Sequence, residues 1–250
     1  MEEKHPILLI RGLLREERHW GKFPDFMQTR FPDRPILTLS LAGTGVRHQQ
    51  VSPNTISAMT EDLRTELSRK HPQYSKINIL GISMGGMIAI DWAARYPEQL
   101  NKVILMNTST REFGRVYERL RWQAYGNFVK SLFSDTYGQE AETLKLLSNR
   151  PFNQTLADEW GRLRLECPMS GKTMINQLLA SARFHITEQP KVPTLVMTSL
   201  QDKMVSPKCS YRLAEAWNLR IEKHPTAGHD ISIDDPEWVC EVTKEFLDRK

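Results

Sequence analysis

The chain has 250 residues, 40% of them apolar, and a formal net charge of +4. That length suits one large α/β domain with a sizeable core, and the even mixing of basic with acidic residues gives nucleic-acid binding little support. Cys167, Cys209 and Cys240 are odd in number and far apart. They argue against a disulfide framework and a zinc cluster, and they fit a reducing compartment. No apolar run approaches the ~20 residues of a membrane span. The run 7–10 is too short for a signal-peptide core, so the expected location is the cytoplasm.

Residues 6–10 are expected to form the first strand, which leads into Arg11-Gly12-Leu13-Leu14 and a polar loop through Trp20-Gly21-Lys22-Phe23. A second strand is expected over 35–41, then a turn at Ala42-Gly43-Thr44-Gly45. Residues 54–70 read as a helix with Ser52 or Asn54 as cap and Ile56, Met59, Leu63 and Leu67 as its apolar stripe. The run 77–80 is short, apolar and rich in β-branched residues, as a buried parallel strand should be. Gly81-Ile82-Ser83-Met84-Gly85 follows at once, and a helical pattern over 86–96 stops before Pro97. A strand over 102–106 ends at Asn107-Thr108-Ser109-Thr110. Such alternation predicts helices covering a mostly parallel sheet.

The alternation then breaks. Residues 111–189 show no convincing strand, are helical in character, and are rich in aromatics such as Tyr117, Trp122, Tyr125, Phe128 and Phe133. Pro151 and Cys167-Pro168 are expected to separate helices there. An insertion of this length between two strands reads as a mobile helical cap over 111–189, with the core domain made of 1–110 and 190–250. Most of its aromatics should pack the cap's own core. A minority, with Trp122 and Tyr125 as candidates, should line a pocket.

Regular alternation resumes with a strand over 193–198 and the loop Ser199-Leu200-Gln201-Asp202. A helix follows over 207–217, capped by Ser206 with Pro207 in its first turn. A last strand over 219–222 leads to the loop His224-Pro225-Thr226-Ala227-Gly228-His229-Asp230, and Asp235-Pro236 opens a final helix.

Strand, Gly-X-Ser-X-Gly, helix is the context of a nucleophile elbow. The five-residue pattern alone should arise by chance in roughly one chain of this length in ten; its place between strand and helix is what makes it informative. The serine sits on a sharp turn, so nothing bulky fits two residues to either side.

These features resemble the α/β-hydrolase superfamily, whose chain order is serine, acid, histidine. Ser83, Asp202 and His229 stand in that order, each just after an expected strand. The resemblance implies a mostly parallel α/β sheet and a catalytic triad of these three residues. It implies an oxyanion hole from the backbone N–H groups of Leu13 and Met84. It implies a small-molecule acyl substrate, with no metal and no organic cofactor. His224 is a rival base, whereas His5, His19, His48, His71 and His185 read as surface or cap residues, with a place near the pocket mouth open for His19. Asp230, Asp234 and Asp235 are expected to shape the histidine loop and cap the last helix. Some family members place the acid one strand earlier; here that position is about Asn107, which has no carboxylate. The family's usual His-Gly after the first strand is Arg11-Gly12 here, so Arg11 either braces the loop or binds an anionic substrate. The implied activity is carboxylic ester hydrolysis through an acyl-enzyme. Thioesterase, lactonase, carbon–carbon hydrolase, lyase and non-catalytic ligand-binding readings remain open beside it.

Overall fold

The strand Ile7–Ile10 (β1) explains the layering. Alternate side chains of a strand point to opposite faces. Ile7 and Leu9 enter one apolar cluster, Leu8 and Ile10 another. All four are buried, so both faces of the sheet must be covered. In the computed structural model, which describes residues 4–186 and 188–249 without the side chains of Phe128, Ser131 and Leu132, helices do this on each side.

The chain continues through Phe23–Arg30 (α1), Ile36–Thr38 (β2), Ile56–Lys70 (α2), Ile77–Ile82 (β3), Met84–Arg95 (α3) and Leu100–Met106 (β4). An insertion follows, made of Val116–Arg119 (α4), Trp122–Leu132 (α5), Thr136–Leu147 (α6), Gln154–Glu166 (α7) and Gly171–Arg183 (α8). The core resumes with Thr194–Ser199 (β5), Pro207–Ala216 (α9), Arg220–His224 (β6), Ile231–Asp234 (α10) and Pro236–Asp248 (α11). The six strands form one sheet in the order β2-β1-β3-β4-β5-β6, and every pairing is parallel. Leu8 and Ile10 pack with residues of α2, α3 and α9, while Ile7 and Leu9 pack with residues of α1 and α11.

Several boundaries differ from expectation. Helix α1 starts at Phe23, where the expected polar loop ends, in a stretch for which the sequence suggests no element. Its apolar signal is thin, since Phe23 and Met27 are its only buried residues. The cap of α2 is Thr55, whose hydroxyl accepts from the Ala58 N–H at 3.2 Å, and neither Ser52 nor Asn54 fills that role. Edge strand β2 pairs over three residues and ends sooner than expected. Ser206 caps α9, with Pro207 in its first turn. Pro151 and Cys167-Pro168 fall in the breaks between α6, α7 and α8.

Within 111–189 no described residue lies in a strand. The insertion has a small core of Leu144, Leu147, Ala157 and Trp160. Among the described residues, no helix is long and apolar enough to cross a membrane.

Candidate active site

From β1 the chain steps to β2 on one side, and from β3 onward it builds on the other. The order therefore reverses between β1 and β3, and the carboxyl ends of these two strands are where open α/β sheets of this kind bind ligands. Ser83 ends β3 at this point with φ 55 and ψ −117. A left-handed backbone on a non-glycine residue is costly and persists only where the surroundings over-determine it. Here the Ser83 N–H donates to the Met106 carbonyl at 2.9 Å, and the Thr108 hydroxyl donates to the Ser83 carbonyl at 2.7 Å. A Cβ on Gly81 would run into the Gly85 carbonyl, and one on Gly85 would run into the Ile10 carbonyl. That crowding is why α3 can start as early as Met84 and bring its unsatisfied N–H groups to this edge of the sheet. Ser83 itself keeps partial solvent access.

The parallel register puts the loops after β5 and β6 at the same edge of the sheet. There His229 and Asp202, 3% and 1% exposed, face each other with Nδ1 and Oδ2 at 2.7 Å. A carboxylate only accepts, so Nδ1 carries a proton, and in the neutral ring the lone pair is on Nε2. The other oxygen of Asp202 accepts from the N–H groups of Met204 and Val205 at 2.7 and 2.9 Å, which locks the carboxylate plane. Arg121, from the insertion, donates to the Asp202 carbonyl.

Asn107 performs the remaining alignment. Its amide nitrogen donates to the His229 carbonyl at 2.7 Å, and its amide oxygen accepts from the Ser199 N–H at 2.8 Å. It thus ties the end of β4 to the acid strand and the histidine loop. Sequence reasoning set Asn107 aside for want of a carboxylate; the signal overlooked was a side chain able to donate and accept at once.

His224 is occupied elsewhere. Its Nδ1 accepts from the Ala227 N–H at 2.8 Å, its Nε2 lies 3.2 Å from Asp235, and its ring meets Trp238 edge-on. Asp235 also accepts from the Trp238 N–H and so caps α11. Asp234 accepts from the N–H groups of Gly228 and Asn149 at 2.6 and 2.9 Å, which fastens the histidine loop to the end of α6.

On the other wall, the loop after β1 comes close to Ser83. A Cβ built on Gly12 would stand 3.1 Å from the Ser83 Cβ. Arg11, 3% exposed, lies 2.7 Å from Asp230 and stacks over Trp20 at 4.5 Å. Burial holds the Arg11 pKa below its ordinary value, with the Asp230 carboxylate opposing that shift. That guanidinium braces the β1 loop against the histidine loop. Trp122 and Tyr125 are 76% and 51% exposed, on the side of α5 that also bears Val129. Among the described side chains of α5, Ala124 is the buried one. Tyr117 is likewise exposed, and the Phe128 side chain lies outside the described residues. A groove of about 490 Å³ is lined by Leu144, Asn149, Arg150, Phe152 and Lys203 among others, and Ser83 is not part of its lining. Among the described residues, no group of three or more His, Cys, Asp or Glu could hold a metal ion.

The family profile described as alpha/beta hydrolase fold matches residues 5–236. The chain belongs to this family. Among curated relatives, the Arabidopsis thaliana alpha/beta hydrolase domain-containing protein VTE7 is 28% identical over 69% of this chain, and the match spans only about half, 53%, of that protein. A Rhizobium rhizogenes protein with the provisional name carbamate hydrolase RutD is 28% identical over 96% of this chain and 92% of its own length. The solved enol-lactonase from Burkholderia xenovorans has the same fold, with a TM-score of 0.76, 19% identity, and coverage of 98% of this chain and 92% of that one. An alpha/beta hydrolase fold accounts for the six parallel strands and for the position of Ser83, Asp202 and His229 at one sheet edge.

Proposed function

We propose that the protein is a serine hydrolase of a small-molecule carboxylic ester or related acyl compound. The observation that carries this reading is the buried His229–Asp202 pair at the same sheet edge as the strained Ser83 turn. A serine hydroxyl is a poor nucleophile at neutral pH and needs a base. His229 Nε2 takes the Ser83 proton as Oγ attacks the acyl carbon, and later gives it to the departing alkoxide. Asp202 keeps Nδ1 protonated and stabilises the imidazolium. The charge that develops on the carbonyl oxygen falls to the backbone N–H groups of Met84 and Leu13, a proposal supported by the closeness of the Gly12 loop to Ser83. Water then repeats the cycle on the acyl-enzyme. The helical insertion serves as a cap over this edge. The provisional carbamate hydrolase and the enol-lactonase keep carbamates and lactones in the candidate range.

A fluorophosphonate probe is expected to label Ser83. Ser83→Ala should lose labelling, and turnover should drop by on the order of 10⁶ with an unchanged melting temperature. A panel of p-nitrophenyl esters, acyl-CoA thioesters and lactones then ranks the acyl class. Full activity in Ser83→Ala, or a wild-type protein that takes no label, would refute the catalytic reading and leave a ligand-binding member of the fold.

A further inference from the structure

Helix α8 turns a polar stripe towards the core. Thr173 and Gln177, four residues apart, are both wholly buried. The Thr173 hydroxyl accepts from the Ser52 N–H at 3.2 Å, and Asn176 donates to the Ser52 carbonyl at 2.7 Å. Gln177 reaches further, to the loop after β1. Its Oε1 accepts from the Leu14 N–H at 2.9 Å.

Leu14 has φ 58, and the Arg15 N–H closes a turn onto the Gly12 carbonyl at 3.3 Å. A positive φ at the third position of such a turn is the mark of type II, which ordinarily asks for glycine there. Leucine has no side-chain means of paying that strain. The Gln177 acceptor supplies an external one, because it bonds the N–H of the peptide whose flip separates type II from type I. Leu13, in the middle of this turn, carries the proposed oxyanion donor.

The other half of the amide is the informative one. Since the Leu14 N–H needs an oxygen, the Gln177 amide orientation is settled by chemistry, and Nε2 points away from that bond. Nε2 is buried and has no hydrogen-bond partner among the described residues. A buried donor left unpaired costs about 1–3 kcal/mol. This one sits on the same amide that grips the turn beginning at Gly12, whose Cβ position lies 3.1 Å from the Ser83 Cβ.

We infer that Gln177 is a positioning and specificity residue: its amide oxygen holds the oxyanion turn, and its free NH₂ donates to a second oxygen of the substrate, so that oxo- or hydroxyacyl compounds are preferred to plain alkanoyl ones. The inference rests on the serine hydrolase reading. It gives the insertion a chemical part: α8, seated by Thr173 and Asn176, delivers a hydrogen-bonding side chain to the reacting end of the substrate.

The test compares Gln177→Met with Gln177→Glu on two p-nitrophenyl esters of equal length, one with a keto group near the scissile carbonyl. Methionine removes acceptor and donor at similar volume; glutamate at pH 8 keeps an acceptor for Leu14 and removes the donor. Wild type should favour the keto ester in kcat/KM, and both variants should lose that preference. Gln177→Met should also lose about 10- to 100-fold in kcat on the plain ester, less than the about 10²–10³ that a missing oxyanion donor costs. Gln177→Glu, which keeps an acceptor for the Leu14 N–H, should lose less kcat on the plain ester than Gln177→Met does. Hydrogen exchange at the Leu14 amide, slow in wild type and faster in Gln177→Met, reads the turn independently of activity and with folding checked by melting temperature. An unchanged ester preference together with wild-type kcat in Gln177→Met would overturn the inference. If Ser83 fails to label in wild type, the hydrolase reading fails instead, and fast Leu14 exchange in wild type would then be the result that also removes the turn role.

Discussion

Two neighbouring aspartates show how much a side chain's partner decides. Asp202 and Asp230 are both buried and both lie in loops at the same sheet edge. Asp202 faces His229; Asp230 faces the Arg11 guanidinium. In Asp202→Asn the retained oxygen can still take the Met204 and Val205 N–H groups, which turns the new NH₂ towards His229 Nδ1 and forces the wrong tautomer. The expected loss is about 10⁴ in kcat with little change in melting temperature. In Asp230→Asn the cation Arg11 is left buried and unpaired, so the loss should be in stability, about 3–5 kcal/mol, with turnover per folded molecule far better preserved. Measuring kcat beside chemical unfolding for both variants separates the roles; the reverse ranking in kcat would remove Asp202 as the acid. The sequence already distinguished the two by strand-end placement. It carried no sign that Arg11 and Asp230 pair, because they meet across more than two hundred residues of chain.

At the scale of elements, the insertion is fastened at several points. Glu140 on α6 is held between Arg15 at 2.5 Å and Arg164 at 3.1 Å, and Arg15 in turn stacks over Trp160 at 4.8 Å. At the other end the Asp230 N–H donates to the Leu147 carbonyl at 2.9 Å. These latches argue for a seated α6–α7 pair; α4 is seated too, its Glu118 paired with Arg212 of α9 at 2.6 Å, so the proposal of a mobile cap is confined to α5. The two tryptophans make the contrast measurable. Trp160 is 1% exposed in the insertion's own core, whereas Trp122 is 76% exposed on α5. Trp160→Ala should cost about 3–5 kcal/mol. Trp122→Ala should stay within about 0.5 kcal/mol, as surface changes do. Equal losses in urea unfolding would show that α5 packs inward in solution. Helical periodicity made the insertion legible as helices; which side of α5 turns inward depends on the neighbours it meets.

For the molecule as a whole, the first response to acid should come from a histidine outside the proposed triad. His19 is buried, and its pKa lies well below 6.5 because burial, then Arg15 and Arg11, disfavour the imidazolium. Below pH 6.5 the unfolded chain therefore binds a proton that the folded one does not. Stability falls as pH drops through 6.5 and goes on falling until the folded pKa is reached. His19 Nδ1 also accepts from the Glu16 N–H at 3.1 Å, an acceptor that glutamine can replace. Between pH 7.5 and 5.5, His19→Gln should lose about 1 kcal/mol less stability than wild type. An equal loss in both would assign the acid sensitivity to other groups.

What could be read along the chain was whatever depends on near neighbours: the apolar period of the strands, the Gly-X-Ser-X-Gly turn, the order Ser83, Asp202, His229, and the caps of α9 and α11. These follow from local sterics and from hydrogen bonds a few residues long. Helix α1 and the Thr55 cap were missed even so, the first for its thin apolar stripe and the second because several polar residues competed for one N–H. Pairings between distant segments had no local signal. Asn107 clamping His229, Arg11 facing Asp230, Glu140 between two arginines, and Gln177 holding Leu14 each join groups brought together only when the sheet closes and the insertion folds back on it. A buried polar side chain takes its role from the partner that offsets its desolvation, and that partner is selected by the packed fold.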